Sequence, residues 1–195
     1  MQSENNVYMF FLGDAGRNIF FQMKKEEQYP PVKKMRHFDS YISFAFEEYG
    51  CTENAVQIGK ETLGGTDTVF PWKGELAVKE SRDDIKKQLR GCSTLLLVGG
   101  LGGGFGSGAS PEIAKIARRM GIRVVAIFWT PFHFEGKRRA ARASFYKKRL
   151  EQLCDTCFFC DHSMIREHCT AANCFDLADA VVVNKIKEFL VALQG

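Results

Sequence analysis

The chain has 195 residues, 45% hydrophobic and 26% charged, with a net charge of +4. That length and balance suit one α/β domain able to bury a real core, and no apolar run reaches the length of a membrane span. The mild basic excess, most of it in Lys137–Arg149, is too small to indicate nucleic acid.

Met1-Gln-Ser-Glu-Asn-Asn carries no basic leader, so it does not read as a secretory signal. Seven cysteines without such a signal point to a reducing, cytoplasmic setting. Val7–Leu12 is a continuous apolar run, the pattern of a strand buried on both faces of a parallel sheet. Gly13-Asp-Ala-Gly-Arg-Asn18 follows it and leads into a helix ending before Pro30-Pro31. Tyr41–Phe46 and Ala55–Ile58 read as further strands, and Gly64-Gly-Thr66 as a turn. Ser81-Arg-Asp-Asp84 resembles a capping box opening a helix over Asp83–Leu89. Thr94–Val98 predicts a buried strand, Glu112–Met120 a helix and Ile122–Trp129 another buried strand. A basic helix over Lys137–Leu153, a short strand over Cys157–Cys160 and an amphipathic helix over Asp176–Leu193 complete the chain. Strands alternating with helices imply a three-layer, Rossmann-like α/β domain with a mostly parallel sheet.

Between the strand at Thr94 and the next helix, seven of the ten residues Gly99–Gly108 are glycine. Strand, glycine loop and helix N-terminus together make a phosphate site, because glycine lets the backbone approach an anion while free N–H groups point at it. Ser110-Pro111 reads as the start of that helix, proline fitting a first turn. A P-loop is excluded, since no lysine lies between Lys87 and Lys115. The loop also falls mid-chain, whereas a Rossmann fingerprint normally follows the first strand.

Gly102-Gly-Gly-Phe-Gly-Ser-Gly108 resembles the signature loop Gly-Gly-Gly-Thr-Gly-Thr/Ser-Gly of the tubulin and FtsZ GTPase superfamily. Val56-Gln-Ile-Gly59 and Pro131-Phe-His-Phe-Glu-Gly-Lys-Arg-Arg139 extend the resemblance, the latter at the family's spacing from the loop. The similarity runs over about residues 7–192, after a six-residue tail, and implies the GTPase domain over 7–195. The family's second domain, whose acidic loop completes a neighbour's site in a filament, has no counterpart in these residues.

What the resemblance implies is a guanine-nucleotide site for GTP or GDP. Gly13, Asp14, Ala15, Gly16, Arg17 and Asn18 would form the first phosphate loop. Gly65 and Thr66 would lie near the γ-phosphate, and Gly103, Gly104, Phe105, Gly106, Ser107 and Gly108 would cradle the inner phosphates, with Ser107 donating its hydroxyl. Glu135 would accept from the ribose, Arg139 would lie beside the sugar-phosphate, and Asn184 would read the guanine edge. No catalytic residue and no protein-held metal follow. Phe105 stands where the family has a threonine, which would put a ring where phosphates sit. Asp14 and Arg17 replace glycines, so Asp14 would need Mg²⁺ between it and a phosphate. The family's Asn-Thr-Asp has no counterpart in Ile42–Glu48, and no aromatic stands just before Asn184.

Three functional readings follow. One is GTP binding with weak or absent autonomous hydrolysis, modulating cytoskeletal or cell-division filaments through a full-length FtsZ- or tubulin-like relative or a second copy. Another is a pseudo-GTPase serving as a protein-interaction module without nucleotide, and a third is a dinucleotide enzyme with Glu47 or Glu48 on a ribose. Cys154, Cys157 and Cys160, near His162, His168, Cys169 and Cys174, invite a zinc or iron–sulfur reading. Against it, an odd separation on a strand sends Cys157 and Cys160 to opposite faces, as buried thiols would be. The basic residues of Lys137–Arg149 read either as an anionic-partner surface or as the solvated face of an amphipathic helix.

Overall fold

The computed structural model describes residues 6–25, 30–39, 47–48, 50–165, 167, 169–170 and 172–194. Six strands form one parallel sheet: β1 Val7–Leu12, β2 Lys34–Asp39, β3 Ala55–Gln57, β4 Thr94–Gly100, β5 Arg123–Trp129 and β6 Thr156–Cys160. Their spatial order is β3-β2-β1-β4-β5-β6. The helices are α1 Gly13–Lys25, α2 Lys60–Leu63, α3 Pro71–Glu80, α4 Arg82–Gln88, α5 Phe105–Arg119, α6 Lys137–Leu153 and α7 Cys174–Ala192.

Period-two alternation in the apolar strands divides the core in two. Tyr8, Phe10 and Leu12 of β1, Leu95 and Leu97 of β4, and Val124, Ala126 and Phe128 of β5 face α3, α4, α5 and α6. Met9, Phe11, Leu96, Val98, Val125, Ile127 and Trp129 face α1 and α7. Both faces are covered, so the central strands read as near-continuous apolar runs. Cys157 packs against the first cluster and Cys160 lies in the second, on opposite faces of β6.

Several elements differ from the sequence reading, including α3, Pro71–Glu80, which no pattern announces. The second strand is Lys34–Asp39; the strand expected at Tyr41–Phe46 lies outside the described residues. Its first half is cationic and half-buried: Lys34 Nζ donates to Gln88 O at 2.8 Å and lies 4.6 Å from the Tyr8 ring centre. Helix α5 begins at Phe105 rather than at Ser110-Pro111, which leaves Pro111 inside it. The proline lacks the N–H that would bond Ser107 O, and Ser110 Oγ approaches that carbonyl at 3.4 Å instead. The expected cap at Ser81 is not used as such. Its hydroxyl accepts from Gly59 N–H at 3.0 Å, tying α2 to α3 and α4.

Candidate nucleotide site

In this strand order the chain reverses direction between β1 and β4, and ligands of open parallel sheets bind outside the carboxyl ends of such a pair. The loop leaving β4 meets the first turn of α1 there around a cavity of about 350 Å³; the expected loop Gly13–Asn18 is helical, because α1 starts at Gly13 directly after β1. The junction is tight. A Cβ added at Gly13, where φ is +65°, would lie 3.4 Å from Gly106 N and 3.8 Å from a Phe105 ring carbon.

Ten of the expected residues line the cavity: Gly13, Asp14, Ala15, Asn18, Gly103, Gly104, Phe105, Gly106, Glu135 and Arg139. Asp14 is ion-paired with Arg17 at 2.9 Å, so the carboxylate that replaces a glycine is balanced within its own helical turn. Glu135 Oε1 accepts from Phe132 N–H at 2.8 Å, and Oε2 pairs with Arg139. The Phe105 ring is not the obstruction its position suggests: it is 2% exposed and packs in the α3–α5–α6 cluster, edging the cavity without filling it.

The remaining expected residues lie elsewhere. Gly16 packs α1 onto β1, where a Cβ would be 2.8 Å from Phe11 C. Ser107 is buried and its hydroxyl accepts from Gly102 N–H at 2.9 Å, holding the loop from inside. Gly108 meets the start of α3, where a Cβ would lie 1.8 Å from Pro71 O. Gly65 and Thr66 stop short of the cavity; Asp67, Thr68 and Val69 are the residues of that segment that reach it. Asn184 is exposed in a separate shallow groove with Lys187, Glu188 and Val191.

Helix α7 instead brings Phe175, Ala178 and Asp179 to the cavity. Asp179 shares a helical stripe with Val183, Ile186 and Leu190, all buried. An acid within an apolar stripe is a signal that sequence alone carries. Burial, reinforced by nearby Asp176, pushes its carboxyl up to about 7. Phe175 is 55% exposed and stands edge-on to Phe132, ring centres 5.3 Å apart. His37 of β2, also unanticipated, lies beside the start of α1. A carbonyl can only accept, so the ring's Nε2–H donates to Gly13 O at 3.1 Å. Burial holds His37 down at about 4, so it is neutral near pH 7; the Arg17 charge adds to the effect.

The cavity therefore spans the sheet edge. Asp179 and Phe175 come from the α1–α7 side, the glycine loops form its middle, and Asp67–Val69 with Arg142 come from the α3–α6 side. Among the described residues no helix is long and apolar enough to cross a membrane, and no cluster of three or more His, Cys, Asp or Glu is arranged to hold a metal.

A family model described as the Tubulin/FtsZ family GTPase domain matches residues 5–170. The cell division protein FtsZ of Rickettsia conorii is 34% identical over 181 residues, covering 90% of this chain and 39% of that protein. FtsZ of Haemophilus influenzae is 38% identical over 116 residues, covering 59% of this chain and 28% of that protein. Among solved structures, an empty FtsZ dimer of M. jannaschii superposes with a TM-score of 0.85 at 27% identity, covering 97% of this chain and 55% of that one. GDP-bound CetZ1 of Haloferax volcanii shares the fold at a TM-score of 0.77 and 21% identity, covering 92% of this chain and 58% of that one. The chain thus spans well under two thirds of the length of these relatives. With the matched segment extending over most of its residues, it belongs to the tubulin/FtsZ GTPase-domain family.

Proposed function

We propose that the chain binds a guanine nucleotide across the sheet edge, base against α7 and phosphates over the glycine loops. The observation that carries this is the position of Asp179 and Phe175 at one end of a cavity whose middle is lined by the first turn of α1 and the glycine loop after β4. An ionised carboxylate only accepts, and the guanine edge offers adjacent N1–H and N2–H donors where adenine offers an acceptor at N1. A site built this way rejects adenine by leaving a buried acceptor unpaired. The half-exposed Phe175 ring offers the base a face to stack on.

Asp67 is the residue that would hold Mg²⁺ beside the outer phosphates, where the ion would neutralise phosphate charge. Its Oδ1 already accepts from Thr68 N–H at 2.6 Å, which fixes the carboxylate's direction. Hydrolysis by the isolated chain is proposed to be slow. Asp14 is paired with Arg17, Glu135 is held by Arg139 and Phe132, Asp67 is assigned to the metal ion and Asp179 stands at the base end, so none of these carboxylates is placed to position a water at the outer phosphates.

Calorimetric titration with GDP, GTP and ATP, at about pH 6 and about pH 8, tests the reading. Guanine nucleotides alone should bind. Because they need ionised Asp179, affinity should fall on acidification below the folded value of about 7. Asp179→Asn should lower guanine affinity by roughly 2 kcal/mol and remove that pH dependence. Equal binding of ATP, or no binding of any nucleotide, would refute it.

A further inference from the structure

The α3–α6 end of the cavity carries a cation that none of the motifs contains. Arg142 of α6 lies one turn beyond Arg139 on the same side of the helix, half-buried, and lines the cavity. Its Nη1 donates to Val69 O at 2.8 Å, across 73 residues of sequence. Val69 belongs to the segment roofing that end, and the roof rests directly on the glycine loop: a Cβ at Gly104 would lie 1.8 Å from Thr68 O. The guanidinium is thus held at the cavity rim by a carbonyl, and that one bond uses one of its five N–H donors.

We propose that Arg142 is the residue by which this chain distinguishes a nucleoside triphosphate from a diphosphate. The inference rests on the guanine-nucleotide reading of the cavity. With the base against Asp179 and the inner phosphates over the glycine loops, the added phosphate extends toward Asp67–Val69, where Arg142 is the cation of the roof. A planar guanidinium meets two phosphate oxygens at once, which makes it a reader of a terminal phosphate rather than a general attractor. Arg139 does not duplicate the role, because its charge is balanced by the Glu135 carboxylate, whereas Arg142 is held by an uncharged carbonyl.

The test compares affinities for GDP and for a non-hydrolysable GTP analogue in the unmodified chain, Arg142→Ala, Arg142→Lys and, as a control on the same helix, the exposed Arg138→Ala. Arg142→Ala should lose about tenfold in affinity for the triphosphate while GDP affinity stays unchanged. Arg142→Lys should retain part of the preference, and Arg138→Ala all of it. If Arg142→Ala weakens both ligands by the same factor, the side chain only pins Val69 and the proposal fails. It fails equally if neither affinity moves, or if the unmodified chain binds both alike. If the unmodified chain binds neither ligand, the nucleotide reading itself fails and takes this inference with it.

Discussion

Two ionisable residues, the buried His37 and the half-buried Asp179 that lines the cavity, respond to acid with opposite signs. His37 titrates near 6.5 when unfolded and about 4 when folded, so the unfolded chain binds its proton first. Stability tied to His37 is complete above pH 6.5 and falls as pH drops toward 4, by about 3 kcal/mol in all. Asp179 is the reverse. Its folded value of about 7 lies above the unfolded 3.8, so the folded chain takes up the proton first and gains stability as pH falls between them. In the unmodified chain the two slopes oppose one another. His37→Gln should therefore unmask a melting temperature that rises on mild acidification, and Asp179→Asn one that falls more steeply. Melting curves across that window check both signs, and parallel profiles in the two variants would show that neither group is buried as described. Neither residue belongs to a recognisable motif. Asn184, counted forward along the chain, instead lands on the solvent side of α7, because a shift of a few residues turns a helix face through more than a quarter circle.

At the scale of elements, the glycine loop does two jobs that composition alone merges. Gly104 and Gly108 have no room for a Cβ against the 68–71 backbone, and Gly104 has an ordinary helical φ of −79°. They are glycine for packing. A Cβ at Gly103 would meet nothing within 4 Å, and this residue faces the cavity. Gly104→Ala should consequently destabilise the fold by roughly 1–3 kcal/mol or more. Gly103→Ala should leave melting unchanged while weakening nucleotide binding, because a methyl there stands between backbone and phosphate. Melting and titration on the two variants separate the roles, and equal melting temperatures would remove the distinction. The same division explains what the sequence made legible. VYMFFL, TLLLV and RVVAIFW read directly as strands because both faces are buried. KMRHFD did not, because its charged first half is half-buried and hydrogen-bonded at the flank of the sheet. The start of α5 was hidden by glycines and an interior proline, whose lost bond is met by a serine hydroxyl that no propensity scale counts.

For the whole molecule, the cavity joins helices that otherwise share no core. α7 belongs to the cluster with α1, whereas α3, α5 and α6 belong to the other, and the sheet separates them. A nucleotide with its base on α7 and its phosphates under the 67–69 roof contacts both layers, so its binding energy opposes unfolding of either. Ligand at about a hundred times its dissociation constant adds roughly 2.7 kcal/mol of stability. In a domain of this size that corresponds to a rise in melting temperature of about 5–10 °C. GDP should produce it and ATP should not. Guanosine, which reaches Asp179 and Phe175 but offers nothing to the glycine loop, binds more weakly and should give a smaller rise at the same concentration as GDP. A rise with guanosine equal to that with GDP would mean that the phosphates lie outside the loops, and that the sheet edge is bridged by the base alone.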